Sequence, residues 1–359
     1  MDKFTIFLLF TAACSFSEND KSTETRTESN EIFIEPTEKD SSEQDNKLGF
    51  LLKEAELRGF LDSIYSLDLT NLTEELAFTP DSVLNSHTDL NYKLTDKDFD
   101  TLKNSVNTKR IDRASAQRIF RGLPLDSLSE SILLEGKLIV NLHLQTKKDF
   151  SEFAVSIGHD DRWENIVYFF VQNKAIARIR VFHRNGLDIQ YFKSKNNKTV
   201  IFFPENFGRG TGIWWNQRNF YKFTNEKLIP VLNQIHDINL QFGWSYRACY
   251  IESEIIETSP LTFKYIYQVE LPFEKPVEIL SDSTIVIYNF AAKLDKYIPN
   301  FTDDKLNQRK LLSYYLEESE FLFVQEYYDL LLTGLNGKDK DKRAAVLYYL
   351  SQLKEDELK

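Results

Sequence analysis

The sequence predicts an α+β protein. A central antiparallel meander sheet, curled into a barrel- or propeller-like form, lies between a helical lead-in and a C-terminal αα-hairpin. Three observations carry this. From Lys137 to Phe290 short apolar runs repeat with period two, and the gaps between them are too short for parallel crossovers. On either side of this block the apolar period becomes helical. The composition suits a packed core, with 42% hydrophobic and 14% aromatic residues against only 12 glycines and 9 prolines.

The chain opens with Met1-Asp2-Lys3, an apolar run from Phe4 to Phe10, and Ala12-Ala13 before Cys14. A short basic start, a short apolar core and small residues describe a secretory signal. The run is too short to span a bilayer. Cys14 after two alanines resembles the lipobox of bacterial lipoproteins, with Thr11 where Leu is usual. That resemblance implies a signal over residues 1–13 and a lipid anchor on Cys14. Residues 14–46 are rich in Ser, Thr, Glu, Asp and Asn, with Ile32-Phe33-Ile34 as the one apolar island. Such a run buries too little surface to offset chain entropy and reads as a disordered tether.

The helical lead-in spans 47–135. Leu57, Phe60, Leu61 and Ile64 recur at i, i+3, i+4, i+7 and predict an amphipathic helix. Residues 66–94 read as mixed and loop-like. Thr95 caps a helix whose first turn carries Asp98 and whose inner face is Phe99, Leu102 and Val106. Another helix runs from Ile111 to Phe120, ended by Gly122 and Pro124.

The β domain spans 136–292. Leu138, Val140, Leu142 and Leu144 alternate with Ile139, Asn141, His143 and Gln145. Val167 to Val171 is apolar on both faces. Ala175, Ala177, Ile179 and Val181 alternate with Arg178 and Arg180. Asn185-Gly186 signals a hairpin before Leu187, Ile189 and Tyr191. Thr199 to Phe203, Phe263 to Leu271 and Ile285 to Phe290 complete a set of about ten strands. The C-terminal hairpin spans 300–359. Its first helix runs from Thr302 to about Thr333, Gly334 and Gly337 break it, and Val346, Tyr349, Leu350 and Leu353 mark the second. It either covers the sheet or docks a protein partner, and helix pairs ordinarily serve the core.

At the centre, Gly208, Gly210 and Gly212 stand among the 12 glycines and precede Trp214 and Trp215, two of four tryptophans. A phosphate-binding loop would need a helix after the glycines. Ile213 to Phe223 reads as a strand, so the glycines predict a bend or bulge. The aromatics behind it are core residues or, alternatively, a stacking platform for sugars or a peptide.

The net charge of −11 argues against nucleic acid as a partner and against electrostatic membrane binding. The histidines show no zinc spacing, no Gly-x-Ser-x-Gly elbow is present, and no cofactor motif occurs. His159-Asp160-Asp161 is the most ligand-like cluster, and a polar turn accounts for it. Glu164, Glu252, Glu254 and Glu257 are candidate glycosidase carboxylates or solvated strand faces. Arg178, Arg180, Arg209 and Arg218 would form an anion site if their strands were neighbours. With Trp214 and Trp215 they are the candidate ligand-binding residues. Cys249 lies in a strand-like run and reads as a buried, inert thiol.

Three stretches, Asn206 through Trp215, Lys227 through Leu232 and Thr95 through Phe99, resemble those of uncharacterised lipoproteins from Bacteroidota. The resemblance covers most of residues 95–270. It implies an envelope lipoprotein and brings no activity with it. The expectation is a membrane-tethered binding or scaffold module of the bacterial envelope, at the outer membrane, with an envelope protein or glycan as partner. The alternative is an envelope hydrolase acting on glycan or peptide.

Overall fold

A computed structural model describes residues 54–107, 111–121, 138–159, 163–183, 187–210, 213–243, 245–302, 304–315 and 319–357. The class is α+β: helices flank antiparallel sheets, and the chain ends in a helical pair. The expected signal, tether and Cys14 lie outside the described residues.

The block predicted as a single meander is two open sheets. The smaller comprises β1 (Thr88–Lys93), β2 (Leu138–Leu144), β3 (Glu152–His159), β4 (Glu164–Val171) and β5 (Lys174–Phe182), in the order β1-β5-β4-β3-β2. The larger is a sequential meander. It runs through β6 (Gln190–Lys193), β7 (Thr199–Gly210), β8 (Ile213–Thr224), β9 (Lys227–Leu240), β10 (Ala248–Thr258), β11 (Leu261–Leu271), β12 (Val277–Ala291) and β13 (Lys296–Asn300). Neither sheet closes on itself, because each buries its apolar faces against another layer instead. Asn185-Gly186, outside the described residues, separates strands of different sheets and so joins no hairpin of neighbours.

Four layers result. Two helices, α3 (Asp96–Asn104) and α4 (Arg113–Arg121), place Leu102, Ala116, Ile119 and Phe120 on the small sheet against Phe153, Ile166, Tyr168 and Phe170. Thr95 caps α3 as predicted: the Asp98 amide donates to Thr95 Oγ1 at 3.2 Å, and that hydroxyl donates to Asp98 Oδ2 at 2.8 Å. The other face of the small sheet, including Val167, Phe169 and Ile179, packs on Ile201, Phe203, Tyr221 and Phe223 of the large sheet. Central β4 is therefore buried on both faces, as its unbroken apolar run requires.

The far face of the large sheet is covered by helices from both ends of the chain. The first, α1 (Glu54–Tyr65), buries Leu57, Phe60, Leu61 and Ile64 at the predicted spacing. Residues 70–84, read as loop, form α2 (Thr70–Leu84). Its buried stripe is Leu69, Leu76, Pro80 and Leu84, and its polar Thr, Asp and Ser content hid the period. The long helix expected from 302 to 333 is broken into α5 (Gln308–Leu312), α6 (Glu320–Glu326) and α7 (Tyr328–Asn336), followed by α8 (Lys340–Glu357). Leu322, Phe323, Leu331, Leu335, Val346, Tyr349 and Leu350 all enter the core of the large sheet, so the hairpin covers the sheet.

The break before α6 has a chemical cause. Arg247, 1% exposed, sits under these helices and forms an ion pair with Glu320. Its second guanidinium nitrogen donates to the Ser313 carbonyl and, at 3.0 Å, to Ser319 Oγ. Ser245 Oγ and Tyr349 OH each donate to Glu320 at 2.6 Å. Both terminal guanidinium nitrogens are met in this way, as burial of a charge requires, while Nε keeps no partner; an unbroken helix would keep the Ser313 carbonyl for itself.

Candidate functional site

The most distinctive surface lies on the large sheet, opposite the C-terminal helices, where β7, β8, β9 and β10 run past two bulges. On β7 the register slips between Asn206 and Gly208. On β9 it slips at His236, so that Asn216 pairs with Asp237 while Gln217 pairs with Ile235. The predicted bulge at the glycines is present, and a strand follows it. Among the described residues the element that follows these glycines is strand β8 and not a helix, so the helix N-terminus that a phosphate cradle needs does not follow them.

Beyond the bulges, Trp215, Ile238 and Ile251 are in register and pack into the core. Strand alternation therefore turns their neighbours outward. One row is Trp214, Asn239 and Tyr250, and the next is Asn216, Asp237 and Glu252. Trp214 is 37% exposed and Glu252 is exposed, whereas Asn216, Asp237, Asn239 and Tyr250 are half-buried. The aromatics behind the glycines are core residues for the most part, with Phe220, Tyr221 and Phe223 buried, and only the tryptophan pair is divided. Trp215 packs inward on Tyr315, with ring centroids 4.2 Å apart and planes tilted by 39°, and Trp214 alone of the pair faces out.

Hydrogen bonds run across the second row. Asn206 Nδ2 donates to Asn216 Oδ1 at 2.6 Å, and Asn216 Nδ2 donates to Asp237 Oδ2 at 3.1 Å. A carboxylate only accepts, so Asp237 fixes which way both amides point. The Asn206 carbonyl oxygen, Oδ1, and the second Asp237 oxygen, Oδ1, are buried without a hydrogen-bond partner. Tyr250 OH donates to Glu252.

The four arginines are divided between the two sheets. Arg178 and Arg180 lie on β5 in the small sheet, in register with Tyr168 and Ile166, while Arg209 and Arg218 lie on β7 and β8 in the large one. The Arg209 side chain is outside what the structure describes. Arg218 is engaged at the β9 bulge, where its Nη1 donates to the Ser253 carbonyl at 3.1 Å and to Ser253 Oγ at 3.2 Å. Burial lowers its pKa against the pull of Tyr265, Asp237, Glu252 and Glu254. Burial and then the Arg218 charge hold the neighbouring His236 imidazole below its ordinary range.

Other candidates disperse. His159 ends β3, and Asp160 and Asp161 lie outside the described residues. Among the described residues, no group of three or more His, Cys, Asp or Glu side chains is placed to hold a metal ion. Glu252, Glu254 and Glu257 are exposed on β10, and Glu164 is half-buried on β4. Cys249 is buried, and burial pushes its thiol up to about 11, which suits an inert core sulfur.

Sequence reasoning missed Glu205. On β7 it is 6% exposed, accepting from the Phe182 amide at 3.4 Å and from Asn219 Nδ2 at 2.5 Å. Burial pushes its carboxyl up to about 7, against the pull of these two bonds. It was missed because Pro204-Glu205-Asn206 interrupts the apolar alternation and reads as a strand end. Asp237 and Asn216 were missed for another reason: only the pairing of β8 with β9 brings them together. Compared with known proteins, the chain matches no family model, no curated protein and no solved structure.

Proposed function

We propose that this chain is a membrane-tethered binding module of the bacterial envelope, anchored through Cys14, with its ligand surface on the outer face of the large sheet. One observation carries the binding half of the reading. An exposed tryptophan stands in register with Asn239 and Tyr250, beside a second row of Asn216, Asp237 and Glu252. A half-buried polar row flanking an exposed ring is suited to holding a ligand by stacking and hydrogen bonds together. The anchor half rests on the Ala12-Ala13-Cys14 pattern. Among the described residues, no helix is long and apolar enough to cross a membrane, and an anchor on Cys14 would supply the attachment.

Both halves are testable. Wild-type protein should sediment with membranes, and Cys14→Ser should become soluble or remain unprocessed. Soluble Cys14→Ser protein should then co-sediment with isolated envelope fragments, and a further Trp214→Ala change should abolish this. Co-sedimentation that survives Trp214→Ala would place the binding surface elsewhere.

The hydrolase alternative would rest on Glu205, a carboxyl held between the Phe182 amide and Asn219 whose burial raises it toward the range a general acid needs. On that reading, envelope fragments would release soluble sugar or peptide. Glu205→Gln would stop the release without lowering the melting temperature.

A further inference from the structure

The hydrogen-bonding groups of the outer face are unbalanced. Asn206, only 7% exposed, and Asp237 stand at the two ends of the Asn206–Asn216–Asp237 chain, and each keeps one buried acceptor oxygen with no donor. Turning the amides over does not help, because Asp237 would then face the Asn216 oxygen. Among the described side chains, Arg218 is a cation that both Asp237 and Glu252 feel, and it already donates to Ser253. The row is therefore short of donors, and unmet buried acceptors are costly.

Charge narrows the occupant. Asp237 and Glu252 sit side by side on adjacent strands and repel an anion. Arg218, whose charge both carboxylates feel, offsets one of them and weakens the case for a cation. What complements this face is a neutral molecule rich in hydroxyl donors, with an apolar side to lie on Trp214. A pyranose ring has that form: its C–H face stacks on an indole while its hydroxyls point outward as donors.

Resting on the binding-module reading, we propose that the outer face of the large sheet binds a neutral glycan. One pyranose ring stacks on Trp214, and hydroxyls of the same or the next ring donate to Asp237 and Glu252.

The test is calorimetric titration of full-length protein in detergent. The probes are neutral oligomers of glucose, mannose, galactose and N-acetylglucosamine, a permethylated glucose oligomer, and oligolysine. At least one neutral oligomer should bind. Trp214→Ala, an exposed position whose loss should leave the melting temperature unchanged, should weaken that binding at least about tenfold. The permethylated oligomer keeps its apolar faces but has no hydroxyl donors, and should not bind. Equal binding of the permethylated oligomer would overturn the donor argument. Binding of oligolysine alone would mean a cation site. Failure of all four neutral oligomers while envelope fragments still co-sediment through Trp214 would leave a binding module with a different ligand. Failure of both would remove the binding reading as well.

Discussion

Arg247 and Glu320 show what one buried pair can impose. The guanidinium also lies over the Phe323 ring, 4.3 Å from its centroid, so charge, hydrogen bonds and stacking coincide. Removing one partner strands the other in the core, and Arg247→Met should lower stability by about 3–5 kcal/mol in urea titration. Arg247→Met combined with Glu320→Leu should recover much of that loss, since desolvation of both charges is then avoided. A double variant no more stable than the single one would mean that the Ser313 and Ser319 contacts, not the charge pair, hold the helices. None of this was legible beforehand. Arg247 lies 73 residues from Glu320, and the strand-like run from Arg247 to Ile251 gives no sign of a distant carboxylate.

The elements divide by how local their causes are. The first helix, the Thr95 cap, doubly buried β4 and the bulge at the glycines could be read from spacing alone, because each is decided within a few residues. The second helix, β1 and the split into two sheets could not. Thr88 to Lys93 becomes a strand only because the edge of β5 is there to pair with it. Thr95→Ala, which removes a local cause, should cost about 1 kcal/mol. The helical pair depends on a tighter contact. A Cβ on Gly334 would come within 3.0 Å of Val346 Cγ2. Val346 is buried and β-branched, so it has little freedom to turn aside. Gly334→Ala should therefore destabilise by about 1–3 kcal/mol. The same change made in a Val346→Ala background should be neutral or stabilising by denaturant titration. An equal cost in both backgrounds would locate the clash elsewhere.

Across the whole molecule, two titrating groups oppose one another. The Glu205 carboxyl is raised from 4.5 to about 7, so between those values the native state keeps a proton that the unfolded chain has lost. Stability from Glu205 thus falls as pH rises through that window. The His143 imidazole, on β2 with Nε2 2.8 Å from Ser156 Oγ, is lowered by burial from 6.5 to about 4, against the pull of Asp188. There the unfolded chain binds the extra proton, and stability rises with pH. Where the windows overlap, each arm amounts to roughly 2 kcal/mol and the two nearly cancel. His236, also lowered by burial and Arg218, adds a second rising arm, so the wild-type melting temperature should rise only gently from pH 4.5 to 6.5. It should climb with pH in Glu205→Gln and decline with pH in His143→Gln. A Glu205→Gln profile parallel to wild type would show that Glu205 titrates normally.

The seam between the two ends of the chain also sets an order of events. Arg343 pairs with Glu54 across 289 residues at 2.5 Å. Tyr328 OH donates to Asp62 at 2.6 Å, and Gln325 Nε2 donates to the Tyr65 and Leu67 carbonyls at 3.0 and 2.9 Å. The first described helix thus finds these partners more than 250 residues further along the chain. Until those residues arrive its apolar stripe is only partly covered, and the long-range contacts that complete the core cannot form. At the proposed envelope address this delay has a use: a chain that cannot finish folding before it is complete stays unfolded enough to be threaded across a membrane.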